Sequence, residues 1–274
     1  MKSSTYSISL LLILTGSIAG CTSKSLYNDH TISFATISES KTYSLIGSAE
    51  SFGCEDNLLF VDSVSLLIPT FAGKSDIRPL QDSIFKAAFD STAVDHRSLI
   101  DGYFNKVNME LGFAIETEDT VINYIQADGF EVIRGSIINL TPRLMVYCIT
   151  NENMMPLAAH GMQTKRYINY DIDRAMVINL TDLFTDEGIA ALPRLIAERA
   201  ADRVSLFGPT EVNGLPSNSN FFISPAGEIV FAYQPYEIAS YAQGFINVAF
   251  FPYELINYMT PEAIIFFGLT DIAG

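Results

Sequence analysis

The chain has 274 residues, with 16 Lys and Arg against 31 Asp and Glu and a formal net charge of −15. Hydrophobic residues make up 49% and aromatics 12%, enough to bury a core, which excludes general disorder. The acidity excludes binding to nucleic-acid backbones, which needs clustered Lys and Arg. Beyond the N-terminus no run of about 20 apolar residues could cross a membrane as a helix.

Lys2 supplies a short positive region, and Ile8 to Leu14 is an apolar stretch too short to span a bilayer. Small residues follow, ending in Ile18-Ala19-Gly20-Cys21. This run resembles the bacterial lipobox, in which the Cys is acylated and becomes the new N-terminus. It implies a signal peptide over residues 1–20 and a lipid bilayer as partner through acylated Cys21. The protein is then expected in the bacterial cell envelope, on the outer membrane facing periplasm or surface. An ordinary secretory signal is the alternative. Of the other cysteines, Cys54 and Cys148, a disulfide is permitted outside the cytoplasm, and two separate buried thiols are equally compatible. No CxxC occurs, so nothing suggests a zinc ribbon or redox site.

Residues 21–40 are rich in Ser, Thr and Asn and read as a tether leading into a strand from Thr31 to Ile37. Leu58 to Ile68 reads as a strand ended by Pro69. Ile77, Leu80, Ile84 and Ala88 mark one helix, and Leu99, Tyr103, Val107 and Leu111 a second. Strands are expected over Thr120 to Ala127, Glu131 to Leu140 with Gly129 in a turn before it, and Leu144 to Thr150. Asn151 to Gly161 is a loop, and two strands lie within Arg166 to Leu180. Thr185-Asp186-Glu187 starts a helix with Ile189, Leu192, Ile196 and Ala200 on one face, where Pro193 should kink it. Phe221 to Ile223 and Ile229 to Tyr233 flank Ser224-Pro225-Ala226-Gly227, a type I turn pattern, and so predict a hairpin. A strand over Phe245 to Phe251 and a short helix from Thr260-Pro261-Glu262 complete the chain. The pattern is α+β: two small mixed domains, residues 41–160 and 161–274, with antiparallel sheets each packed by one or two helices.

Chemistry is sparsely marked. His30, His96 and His160 are the only histidines, and none sits in a close metal-ligand spacing. Asp171-Ile172-Asp173 would put two carboxylates on one face if that segment is a strand. No nucleophile elbow, Walker loop or dinucleotide fingerprint is present. The sequence therefore names no catalytic residue, metal or cofactor. Residues 204–274 contain no Lys, Arg or His but carry Glu211, Glu228, Glu237, Glu254, Glu262 and Asp271 among many Phe and Tyr. Acids beside aromatics suit a cationic partner, and equally a β-rich core kept soluble by a few acids.

The segment Asn220 to Phe231, continuing through Tyr233, Pro235-Tyr236-Glu237-Ile238-Ala239 and Tyr241-Ala242-Gln243-Gly244, resembles the extracytoplasmic sensing region shared by RsiV-type anti-sigma factors and PdaC-type peptidoglycan deacetylases. Ile168-Asn169-Tyr170-Asp171, Leu180-Thr181-Asp182-Leu183-Phe184 and Ala159-His160-Gly161 are similar to further blocks of that region. Leu157 and Ala158 stand where the family loop has two glycines. The resemblance covers residues 155–256 in motif, and residues 42–150 match a companion PdaC-like domain in layout only. In the anti-sigma proteins this region is a lysozyme receptor; in the deacetylases it precedes a separate catalytic domain that has no counterpart here. The resemblance implies a non-catalytic, stand-alone lipoprotein that binds a protein or peptidoglycan ligand, including a lysozyme-like cationic hydrolase. It implies contacts at His160, Tyr236, Glu237 and Tyr241, and a turn role for Asp171. A glycan- or peptide-acting envelope hydrolase using His160, Asp171 and Asp173 is the alternative, and a structural or assembly lipoprotein the second.

Overall fold

The computed structural model describes residues 32–72, 75–91, 96–110, 114–116, 125, 127–201 and 219–271. Cys21 and the lipobox lie outside these residues, as do His30 and most of the strand expected over Thr120 to Ala127.

The architecture is α+β. Strands β1 (Ile32–Leu45), β2 (Leu59–Ala72), β3 (Ala114–Glu116), β4 (Gly129–Leu140), β5 (Leu144–Met154), β6 (Met162–Asp171) and β7 (Met176–Ile178) form one sheet in the order β3-β1-β2-β4-β5-β6-β7. A second sheet has the order β10-β9-β8, from β8 (Phe221–Ile223), β9 (Ile229–Tyr233) and β10 (Ile246–Phe250).

Three expectations are corrected. First, the large sheet is mixed: β2 runs parallel to β4. Parallel neighbours need a long crossover, and here it carries α2 (Arg78–Phe89), α3 (His96–Glu110) and β3. Second, residues 32–40 belong to the fold, because β1 pairs with β2 from Ile32 to Ser44. Third, β2 continues through Pro69. Its pairing with β4 stops at Leu66, and the ladder with β1 shifts register between Ser33 and Phe34, opposite Pro69. There a missing N–H is tolerated. The sheet also continues across residue 160, since β5 and β6 pair over ten residues on either side of that point.

β5 shows how the layers share one strand. Its side chains alternate faces. Met145, Tyr147 and Ile149 join the core beneath α2 and α3, with Leu80, Ile84, Phe85 and Phe104. Leu144 and Val146 join a second core formed with α5 (Asp186–Ala201) and the small sheet. Two short helices, α1 (Ser48–Phe52) and α4 (Leu180–Leu183), and a terminal α6 (Pro261–Phe266) complete the set. Helix α5 starts where expected, with Thr185 Oγ1 accepting the Gly188 amide at 3.1 Å, and runs through Pro193 because Leu192, Ile196, Ala197 and Ala200 are buried on the second core. The expected hairpin is β8–β9, its turn closed by Gly227 N–H to Ser224 O at 2.9 Å with Gly227 at φ 81°, where glycine carries no penalty.

Candidate functional site

The two sheets are joined by side-chain amides. Asn139 Nδ2 donates to the carbonyls of Ile223 and Ser224, both at 3.0 Å. Asn169 donates to Phe221 O and accepts from Ile223 N–H, both at 2.9 Å. Asn220 Oδ1 accepts the Tyr167 amide at 3.1 Å, and its Nδ2 reaches Lys165 O at 2.9 Å and Ala232 O at 3.1 Å. Gln234 accepts from Lys165 N–H at 2.8 Å and donates to Lys165 O at 2.7 Å. These amides give β6 and the second sheet the backbone partners that a direct ladder would have supplied.

Gln234 opens the segment that carries the aromatic residues singled out by the resemblance. Glu237 folds back to accept the Gln234 amide at 2.7 Å. Between them Tyr236 sits at φ 69°, a left-handed backbone that costs a non-glycine residue roughly 1–2 kcal/mol, and the residue is 49% exposed. Tyr241 donates its hydroxyl to Gly161 O at 2.8 Å, and His160 Nδ1 reaches the same carbonyl at 3.0 Å. His160 lies flat on Tyr241, with centroids 4.2 Å apart and planes at 23°. Tyr241 is 5.4 Å from Tyr236 at 31°. A Cβ at Gly161 would stand 2.6 Å from the Asn153 carbonyl, so this close approach needs glycine. The structure thus brings His160, Tyr236, Glu237 and Tyr241 to one surface carrying a three-ring stack, and Met155 and Leu157, a few residues before His160 in the chain, are exposed. Leu157 takes φ 63°, a left-handed backbone that favours glycine.

The turn from Gln234 to Glu237 also forms one wall of an open cleft of about 530 Å³. Its floor is Lys165, Arg166 and Tyr167 of β6, and its far wall is α2 through Ser83, Lys86, Ala87 and Asp90. Arg166 closes the end of α2, donating to Ala87 O at 3.1 Å and Asp90 Oδ1 at 2.6 Å. Sequence spacing does not reveal this cleft, because its residues come from four separated segments, Ser219 and Asn220 being the fourth.

The other sequence candidates are dispersed. Strand β6 ends at Asp171, and residues 172–175 turn, so Asp171 and Asp173 do not share a strand face. Asp171 is buried and accepts the Arg174 amide at 3.0 Å, a turn role. Asp173 pairs with Arg143 at 3.0 Å on the surface. His160 is at the opposite end of β6, so the trio required for hydrolysis does not converge. Cys54 and Cys148 are free thiols. Cys148 pairs with Ser136 of β4, next to Gly135, which pairs with Leu66. Cys54 lies before β2, whose first residue, Leu59, is about 20 Å along the strand from Leu66 at roughly 3.3 Å per residue. The C-terminal acids serve turns: Glu254 accepts the Phe251 amide at 2.8 Å, Glu228 accepts the Ser224 hydroxyl at 3.1 Å, and Glu237 acts as described. Glu254 and Glu237 thus cap the amide three positions before them, whereas Glu228 bonds a hydroxyl four positions before it. Among the described residues no three His, Cys, Asp or Glu side chains form a metal cluster, and no helix is long and apolar enough to cross a membrane.

The model of a family described as a protein of unknown function (DUF3298) matches residues 181–254, which include Tyr236, Glu237 and Tyr241 but not His160. No curated protein matches the chain. The chain is similar to the crystal structure of a DUF3298 family member from Bacteroides fragilis, at 20% identity and a TM-score of 0.61, covering 87% of this chain and 97% of that one. It is also similar to that of a DUF3298 family protein from Pseudomonas aeruginosa, at 17% identity and a TM-score of 0.54, covering 84% and 96%. These likenesses show the fold.

Proposed function

We propose that this protein is a non-catalytic binding module of the bacterial cell envelope, tethered through acylated Cys21, that takes a protein or cell-wall ligand on the stack of His160, Tyr241 and Tyr236. The observation that carries this reading is the stack itself. An exposed tyrosine held in a left-handed backbone, with its neighbours pinned to Gly161 O, is strain placed where a ring is presented outward. Flat aromatic faces accept sugar rings by apolar contact and cationic side chains by cation–π attraction. The net charge of −15 would speed the encounter with a cationic protein such as a lysozyme-like hydrolase.

The test is co-sedimentation of the full chain with purified peptidoglycan sacculi, and retention on immobilised hen lysozyme, at low and high salt. Changing Tyr236 and Tyr241 together to Ala should weaken the ligand that is bound by tenfold or more. Unchanged retention, or release of wall fragments by the wild-type chain, would overturn the proposal.

A further inference from the structure

The cleft beside the stack has an electrostatic character opposite to that of the chain as a whole. It presents Lys86, Lys165 and Arg166 together with Asp90 and Glu237. Arg166 is matched by Asp90 at 2.6 Å, and Glu237 is committed to the Gln234 amide. Glu237 keeps its negative charge in that bond, so the lining carries three positive and two negative groups, with Lys86 and Lys165 its two cations outside the Arg166–Asp90 pair. The Lys165 ammonium lies over the Phe245 ring, 4.6 Å from its centroid, which positions the charge without neutralising it. Lys86 is exposed in the last turn of α2. Among the described residues neither makes an ion pair. At about 530 Å³ the open cleft is the size of a small-ligand site.

Resting on the reading of the stack above, we infer that the ligand is an acidic saccharide: a sugar ring packs on Tyr236 and Tyr241, and its carboxylate enters the cleft to meet Lys86 and Lys165. The turn from Gln234 to Glu237 links the two halves, since it carries Tyr236 and walls the cleft. A cationic protein docking on the stack would instead bring positive charge towards two unneutralised ammonium groups, an arrangement that costs affinity.

Titration calorimetry on the full chain, with oligogalacturonate and neutral chitotetraose as probes, tests this. Oligogalacturonate should bind more tightly than chitotetraose and weaken with salt. The variant Lys86→Gln, on an exposed helix position, should weaken it severalfold, and Lys86→Gln with Lys165→Gln by tenfold or more, leaving chitotetraose unaffected. Equal binding of the two saccharides, or indifference of oligogalacturonate to both lysine changes, would overturn the inference and leave the stack reading standing. So would retention of lysozyme through Tyr236 and Tyr241 with no binding of either saccharide. Loss of no probe on changing Tyr236 and Tyr241 to Ala would remove both.

Discussion

The two cores that meet at β5 treat their buried polar groups in opposite ways. On the face shared with the second sheet, Asn139, Asn169, Asn220 and Gln234 find backbone partners on both sides of the junction. On the face covered by α2 and α3, three buried polar atoms among the described residues have none: Asp62 Oδ2, Tyr147 OH and Asn151 Oδ1. An unpaired buried polar atom costs on the order of 1–3 kcal/mol, whereas a satisfied one holds a unique alignment. The amide-stitched junction therefore fixes where the turn carrying Tyr236 sits, while the helical face tolerates polar defects because apolar packing secures it.

The largest test of that contrast is Asn169→Ala. It would leave Phe221 O and Ile223 N–H unpaired within a buried site, and should cost about 3 kcal/mol, read as a lower urea midpoint. A loss under about 1 kcal/mol would mean that the small sheet is held by its apolar core alone.

Asp62 probes the other face. Its carboxyl is pushed up to about 8, chiefly by burial, with the Glu131 charge adding to the effect. The Tyr103 hydroxyl, bonded at 2.5 Å, and Lys41 of the neighbouring strand β1 pull the other way. Below about pH 4 the carboxyl is protonated in both folded and unfolded chains. As the pH rises the unfolded chain releases its proton first, so stability is lost through a window that closes near pH 8. Asp62→Asn removes this loss. Relative to wild type the variant should gain on the order of 2 kcal/mol between pH 5 and pH 7. A constant difference across that range would show Asp62 to be ionised in the folded protein.

The same contrast explains what was legible in the sequence. Helices α2 and α5 announce themselves because Leu80 and Ile84, or Leu192 and Ile196, repeat at helical spacing, and the β8–β9 turn because proline and glycine have fixed backbone preferences. Asp62, between Val61 and Ser63, is one polar position in a run that reads as a mostly apolar strand, and nothing local marks it as fully buried. Asn169, Asn220 and Gln234 carry no periodicity; their partners lie 50 to 70 residues away and exist only once the sheets are apposed. The parallel β2–β4 pair was hidden for the same reason, since register across a crossover leaves no local mark. His160, Tyr236, Glu237 and Tyr241 were singled out by family resemblance, and the cleft was not, because α2 falls outside the segment whose motifs resemble that family.

The smallest expected effect is the most informative about the site. Tyr236 is held at φ 69° and is half exposed, so removing its ring loses modest burial. Glycine occupies this backbone freely, whereas alanine retains the steric cost of a Cβ. Tyr236→Gly should therefore be about 1 kcal/mol more stable than Tyr236→Ala and close to wild type in urea unfolding, while both lose the same ligand. If Tyr236 only shaped the corner after Pro235, glycine would preserve ligand binding as well as stability. Equal stability of the two variants would mean that the left-handed turn relaxes once the ring is gone, and that the ring itself imposes the strain.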